Sequence, residues 1–438
     1  MAEWEDQLNE AFNMIYQSYN RYGRSLLSDG ERHPEHTGEL LRRLQRPDTF
    51  TKNIVVTGSK GKGSTAYFIA RLLQRVVPRV GLCTSPHLLD GLERIRIDGA
   101  MISEAGFVEV FHQIRKPLQD ILAKLPSGQY VGPVGIFAAM AAEYYRSQDC
   151  TYGVFETGRG ALFDDVTRIH HRYAVITSLL LEHVDELGPS LQDIAWHKAG
   201  VITPETQLVV LGEDRPELMG AVRERIRTLG TSPQVMIASQ YGWAHEAELG
   251  SDGVRFGLQW ASGRQLNGLS IANLGRIKDN FALAVCVVEQ LIGPLPDRVI
   301  IEALTESRWP GRGEIISQTP FILLDAGVRP ESVSEMLTHL PRFDQAVLSI
   351  PDGKDRTGMM RLVSLHTQAL VMAGCTNSRL FYQLDSAELP SNGSIIEDVN
   401  EALDMVMGSA GTYSRIFLCG TISFVADVYR WLGRQVIP

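Results

Sequence analysis

Residues 54–66 read Ile-Val-Val-Thr-Gly-Ser-Lys-Gly-Lys-Gly-Ser-Thr-Ala. A β-branched apolar run enters a turn of glycines and lysines, and a helix-forming segment follows. This order suits a phosphate. Glycines let backbone N–H groups converge on anionic oxygens, and a helix N-terminus favours negative charge. The spacing is not the common G-x-x-x-x-G-K-[ST], because Gly58 stands three residues before Gly61 and Gly63 separates Lys62 from Ser64. It is not G-x-G-x-x-G either, which sets aside a dinucleotide oxidoreductase. The plainer alternative is a strand–helix turn that only requires positive φ. Gly-Lys with a further glycine directly before Ser-Thr favours a nucleotide site lined by Gly58, Gly61, Lys62, Gly63, Ser64 and Thr65.

Further strands are expected near residues 80–84, 151–156 and 173–178. A helix after the loop would place Ala66, Ile69, Leu72, Leu73 and Val76 on one face, and residues 137–146 read as another. Strands alternating with helices imply a parallel, helix-covered sheet. Residues 1–50 read as helices with polar connections, and residues 232–272 as a small antiparallel patch with Gly and Ser turns. A helix is expected over 279–292. The stretch 306–314 is rich in turn formers and reads as a junction between domains at 1–305 and 306–438. Beyond it α/β alternation restarts at 321–325, 331–340, 346–350 and 415–420.

The 438 residues are 44% hydrophobic and 21% charged, with net charge −9 and no basic tract. A nucleic-acid partner is not expected. The five cysteines are scattered without C-x-x-C spacing, so neither a disulfide framework nor a zinc site is indicated. The N-terminus is acidic and amphipathic rather than a signal peptide, and no apolar run is long enough to span a membrane. A cytoplasmic monomer or small homo-oligomer is expected. His33-Pro34-Glu35-His36 is set aside as a metal site, since its proline-bearing loop has no further ligands beside it in sequence.

Working outward from the loop, residues 84–89 (T-S-P-H-L-L) and 93–103 (E-R-I-R-I-D-G-A-M-I-S) follow the next strand. Then come 156–160 (E-T-G-R-G), 176–188 (I-T-S-L-L-L-E-H-V-D-E-L-G), 194–202 (I-A-W-H-K-A-G-V-I), 308–312 (R-W-P-G-R) and 419–425 (C-G-T-I-S-F-V). Together and in this order they resemble the folylpolyglutamate synthase/dihydrofolate synthase branch of the Mur ligase superfamily. Members show G-T-N-G-K-G-S, T-S-P-H-L, E-R-I-R-I-N-G, E-V-G-L-G, R-W-P-G-R and G-S-L-Y-L-V. The resemblance spans roughly residues 50 to 430. It implies an α/β fold: a P-loop-containing parallel-sheet ATPase domain with a small antiparallel patch, then a smaller Rossmann-like C-terminal domain.

It also implies an ATP-dependent, ADP-forming ligase of small molecules that activates a carboxylate as an acyl phosphate and couples it to an amino-acid amine. Such phosphoryl transfer needs charge neutralisation and alignment. The resemblance gives Lys62 the phosphate role and puts Ser85, Glu156 and His183 at Mg²⁺ positions. Lys198 falls at a lysine that CO₂ carbamylates, which would make it a further metal ligand. Asn280, Arg312 and Asp325 fall at ATP contacts, and His87, Arg94 and Arg159 on the substrate side. Catalytic roles are expected for Lys62, His183 and Lys198. Taken alone, Glu156 fits a solvated strand end, His183 a structural or surface histidine, and Lys198 a helix C-terminal lysine beside Gly200.

The chain departs from the family at several places. D-A-G-V-R-P at 325–330 replaces D-G-A-H-N-P, so Val328 and Arg329 stand for a His–Asn pair. Leu162 replaces an arginine while Arg159 appears earlier, Val134-Gly135 replaces a Phe-Glu pair, Ile277 replaces a glutamine, and Glu182 replaces an aspartate. Nucleotide and metal positions are kept while positions near the substrates change. A ligase acting on a non-folate carboxylate in specialised metabolism is therefore the second expectation. A non-catalytic ATP-binding regulator is the third.

Overall fold

Val55 and its neighbours Ile54 and Val56 are fully buried on both sides of their strand, as a central parallel strand requires. That strand, β1 (Lys52–Thr57), sits inside an eight-stranded sheet. The others are β2 (Val80–Cys83), β3 (Ile95–Ile97), β4 (Ala100–Met101), β5 (Tyr152–Glu156), β6 (Tyr173–Ile176), β7 (Leu208–Leu211) and β8 (Gln234–Ile237), in the order β4-β3-β2-β5-β1-β6-β7-β8. Pairing is parallel from β2 to β8, and β3 and β4 add an antiparallel edge. This computed structural model describes residues 2–22, 32–182, 184–250 and 253–434.

Helices cover both faces. On one, the helix Lys62–Leu73 packs on Ile277–Ile292, with Phe68 edge-on to Phe281 at 5.2 Å. On the other, Glu104–Leu122 and Pro133–Ser147 bury Phe107, Phe111 and Phe137, and Phe12 of the N-terminal helix Ala2–Tyr22 stacks on Phe107 at 5.2 Å. Ala66, Ile69, Leu72 and Leu73 are buried as the sequence suggests, but Val76 is exposed. The helix ends at Leu73, and a short turn that Pro78 keeps from becoming helical leads the chain into β2.

The antiparallel patch is β9 (Gly242–Gly250), β10 (Gly253–Trp260) and β11 (Gln265–Ile271). Residues 234–237, expected within it, instead extend the large sheet as β8, parallel to β7. Glu289, buried on the helix Ile277–Ile292, fixes the patch: it accepts bonds from Tyr241 Oη, Trp260 Nε1 and Arg264 Nη1.

A C-terminal lobe holds a six-stranded sheet of β12 (Glu314–Gln318), β13 (Phe321–Asp325), β14 (Phe343–Ser349), β15 (Thr367–Met372), β16 (Gly393–Ile395) and β17 (Arg415–Gly420). Its order is β12-β13-β17-β14-β15-β16, parallel except for β12. The lobes are joined by backbone and side-chain bonds: Leu274 N–H donates to Gly313 O at 2.6 Å, and Asn273 Nδ2 donates to Trp309 O and Arg312 O at 3.0 and 2.9 Å. No helix among the described residues is long and apolar enough to cross a membrane. Among the cysteines, all free, Cys83, Cys150, Cys286 and Cys419 are buried as core residues.

Candidate active site

The loop after β1 is pinned to the end of β6. Ser59 N–H donates to Ser178 O at 2.8 Å, and Thr177 Oγ1 and Ser178 Oγ donate to Lys60 O at 2.6 and 3.0 Å. Gly61 caps the following helix at φ +79°, and any Cβ there would come within 2.3 Å of Asn280 Oδ1. Asn280 thus lies against the loop. Lys62 Nζ donates to Gly58 O at 2.8 Å, folded over its own loop. Ser64 and Thr65 are buried in the first turn of the helix.

β5 runs beside β1 with Glu156 opposite Val56, which brings the Glu156 carboxylate to the loop. A Cβ on Gly63 would stand 3.1 Å from both of its oxygens. Glu156 is 8% exposed, and its Oε2 accepts the Ser85 N–H at 3.0 Å. The solvated strand end is therefore not what forms. Burial pushes this carboxyl up, and the Lys62 ammonium opposes that shift.

Lys198 lies near the end of the helix Leu191–Ala199 but does not reach solvent. Its Nζ is fully buried and donates to Glu182 Oε1 at 3.1 Å. Burial lowers it to about 8, opposed by Glu182 and reinforced by Lys62. His183 lies outside the described residues.

His87 and Arg94 pair with each other, Nε of Arg94 donating to His87 Nδ1 at 3.0 Å, while the guanidinium covers the Phe137 ring at 4.6 Å. Burial, then the Arg94 charge, holds His87 down at about 4, so this imidazole stays neutral near pH 7. The Arg159 guanidinium pairs with Glu186, and the Arg159 backbone N–H donates to Asp164 Oδ2 at 3.2 Å.

The C-terminal lobe brings Arg312 and Asp325. Asp325 Oδ2 accepts the Gly313 N–H at 2.6 Å, and burial raises its carboxyl against the pull of Arg312 and Lys60. Lys60 was not singled out from the sequence, yet it sits among Glu182, Arg312, Lys62 and Asp325, its ammonium lowered first by burial. Buried Asp164, which receives the N–H groups of Gly158, Arg159 and Val166, was also missed. A second lysine in the loop was the only sequence signal for Lys60. His33, Glu35 and His36 do come together, with candidate ligand atoms within 4.8 Å of one another, but they bond to each other and to Gln129 far from this loop in sequence.

A glycine-rich loop ending a parallel strand, flanked by a buried carboxylate and a buried lysine and faced by a second α/β lobe, defines an ATP-dependent ligase of the Mur ligase class. No family model matches the chain. It is 31% identical over 317 residues to the folylpolyglutamate synthase of Lacticaseibacillus casei, covering 71% of this chain and 73% of that one. It is 26% identical over 406 residues to the dihydrofolate synthase/folylpolyglutamate synthase of Bacillus subtilis, covering 90% and 93%. A solved bifunctional folylpolyglutamate synthase/dihydrofolate synthase of Yersinia pestis, complexed with AMPPNP and Mn ion, superposes with TM-score 0.78 at 26% identity over 92% of this chain and 94% of that one. The chain belongs to the folylpolyglutamate synthase/dihydrofolate synthase family.

Proposed function

We propose that the chain uses ATP to phosphorylate a substrate carboxylate and then joins the acyl group to the amine of L-glutamate. The carboxylate oxygen attacks the γ-phosphorus and ADP leaves. The amine then attacks the acyl carbon, loses a proton, and phosphate leaves. The observation that carries this reading is the convergence of Lys60, Lys62, Glu156, Lys198, Arg312 and Asp325, from two lobes, on one glycine-rich loop. Anions meeting in one site need such cations, and a joint between lobes keeps water from a hydrolysable intermediate. We divide the chain at 305/306 into the loop-bearing domain and the domain supplying Arg312 and Asp325.

Gly58, Gly61, Lys62, Gly63, Ser64, Thr65 and Asn280 line the nucleotide side in this reading. Ser85, Glu156, His183 and a carbamylated Lys198 would hold Mg²⁺, and Glu156 fits that role: a buried carboxylate with one backbone donor has spare acceptor capacity for a hard cation. Mg²⁺ bound there would offset phosphate charge. An amine at about 8 has a neutral fraction near pH 7.5, the form that adds CO₂. His87, Arg94 and Arg159 lie on the substrate side.

A second reading, a non-folate carboxylate, rests on Arg329 and Leu162, which change the charges that a substrate meets. ADP release with dihydropteroate, tetrahydrofolate and L-glutamate tests both. Turnover is expected with one of the pterins, and Lys62→Ala should abolish it. No turnover with either pterin would sink the folate reading, and full activity in Lys62→Ala would sink the phosphate-site assignment.

A further inference from the structure

Outside the loop site, one cluster has the chemistry of metal ligands. Among the described residues, His33, Glu35 and His36 are the one group of three His, Cys, Asp or Glu side chains whose ligand atoms lie within 4.8 Å of one another. His33 Nδ1 and Glu35 Oε1 are 2.7 Å apart, with a proton between them. The two imidazole rings stand 5.6 Å apart between centroids. No further ligand lies beside this stretch in sequence, but the fold supplies Gln129, 93 residues beyond His36, whose Oε1 accepts from His36 Nε2 at 2.8 Å.

The backbone under the cluster is held. Pro34 opens the helix Glu35–Arg43 at φ −63°, and the His36 N–H donates to His33 O at 3.1 Å, closing a turn that sets the rings side by side. Leu40 and Leu41 are fully buried, and Thr37 Oγ1 donates to Asp165 Oδ1 at 2.7 Å, which fixes the helix to the lobe. The His33 side chain is 15% exposed and that of Glu35 is 59% exposed, so one arm is fixed and the other is free to swing. Tetrahedral zinc, with bonds of about 2.0–2.2 Å, holds its ligand atoms about 3.4 Å apart. From 2.7 Å the His33–Glu35 pair would open by about 0.7 Å, and no pair would have to close by more than about 1.4 Å from 4.8 Å. Two imidazoles with one carboxylate suit Zn²⁺, whereas Mg²⁺ takes oxygen ligands. Gln129 stands behind His36 as an outer partner does behind a metal-ligating histidine: by taking the Nε2 proton it leaves the lone pair on Nδ1.

We propose that His33, Glu35 and His36 bind a divalent cation of the zinc class, with water in the fourth position and Gln129 orienting His36. The cation takes the place of the proton between His33 and Glu35. The site uses no cysteine, shares no residue with the nucleotide and Mg²⁺ positions above, and does not depend on the ligase reading. It fastens the turn to the segment before the helix Pro133–Ser147, directly after Arg32, whose Nη1 donates to Arg159 O at 3.0 Å.

The test is calorimetric titration of the full chain with ZnCl₂ in excess Mg²⁺. One Zn²⁺ should bind per chain. Loss of an outer partner of a metal-ligating histidine costs about 10–100-fold in metal affinity, so Gln129→Ala should weaken Zn²⁺ about tenfold, and His33→Gln and His36→Gln at least about a hundredfold each. AMPPCP affinity should be unchanged in all three, which shows that they fold. Glu156→Gln should leave Zn²⁺ affinity as it was. Co²⁺ should give the visible absorption of a four-coordinate site, and Zn²⁺ should remove it. No Zn²⁺ binding, or wild-type affinity in both histidine variants, would overturn the site and leave a surface ion pair. Displacement of Zn²⁺ by millimolar Mg²⁺ would overturn the class of cation. Loss of Zn²⁺ binding in Glu156→Gln with none in the histidine variants would overturn its placement.

Discussion

Gly63→Ala sets the helix against the site. Gly63 is the second residue of the helix Lys62–Leu73 and does not have left-handed φ, so alanine there should favour the helix by about 1 kcal/mol. The added methyl would stand 3.1 Å from both Glu156 carboxylate oxygens and from Trp309 Cζ2. Neither neighbour moves freely. Glu156 is buried and holds the Ser85 N–H, and Trp309 packs on Tyr67 with ring centroids 4.8 Å apart. Relief by a few tenths of an ångström would loosen the Ser85 bond, at a cost of about 1–3 kcal/mol for a buried carboxylate. Helix gain and bond loss nearly offset, so net stability should fall by no more than about 2 kcal/mol. Activity has no such offset. A misplacement of about 1 Å can cost about a hundredfold in rate, so the smaller shift here should reduce ADP release by about ten- to a hundredfold. The assay is ADP release across a Mg²⁺ titration, paired with urea unfolding. Turnover within twofold of wild type would refute the placement of Glu156 at the reacting phosphates. Lost activity together with a stability loss well above about 2 kcal/mol would refute the claim that the effect is local.

Glu289→Ala should cost about 3 kcal/mol in urea unfolding, because it leaves the Trp260, Tyr241 and Leu295 donors without their acceptor, while Arg264 keeps Asp297; a loss under about 1 kcal/mol would show that the patch does not depend on it. His87 is held at about 4 when folded against 6.5 ordinarily, so between those values the unfolded chain binds the proton that the folded chain refuses. Stability from this group therefore rises with pH from about 4 to 6.5 and is constant above. His87→Gln, which can still accept the Arg94 bond, should flatten that rise, and identical urea midpoints against pH in both proteins would refute it.

Where the sequence was legible, the information was local. Ile54 to Val56 and the 3.6-residue spacing of Ala66, Ile69, Leu72 and Leu73 announce a strand and a helix whatever surrounds them. The features that were not legible depend on partners distant in sequence. Gln234–Ile237 has the same short apolar look whether it pairs with a hairpin or with β7, and only the parallel edge left open by β7 decides it. Lys198 sits in a helix whose Trp196 is exposed and whose last turn looks solvated, yet its ammonium is buried against Glu182. Lys60 gains its surroundings from Arg312 and Asp325, each more than two hundred residues away. Side-chain direction at that range is not written in any window of sequence.

The irregular loop spacing, by contrast, was legible as a pattern before its cause could be seen. A common phosphate loop places its hydroxyl directly after the lysine, where it can face a cation. Here glycine intervenes, and Ser64 is turned into the helix and buried. Positive φ does not explain Gly63, since its backbone is helical. What needs the missing side chain is the Glu156 carboxylate, delivered by the neighbouring strand in register with Val56. In the proposed reading the loop gives up its own oxygen ligand and gains one from β5, backed by the Ser85 N–H from the end of β2. A charged oxygen ligand in place of a hydroxyl strengthens the hold on a hard cation and raises the cost of leaving the site without one. The glycine between lysine and serine is therefore what leaves room for the carboxylate that β5 delivers to the loop.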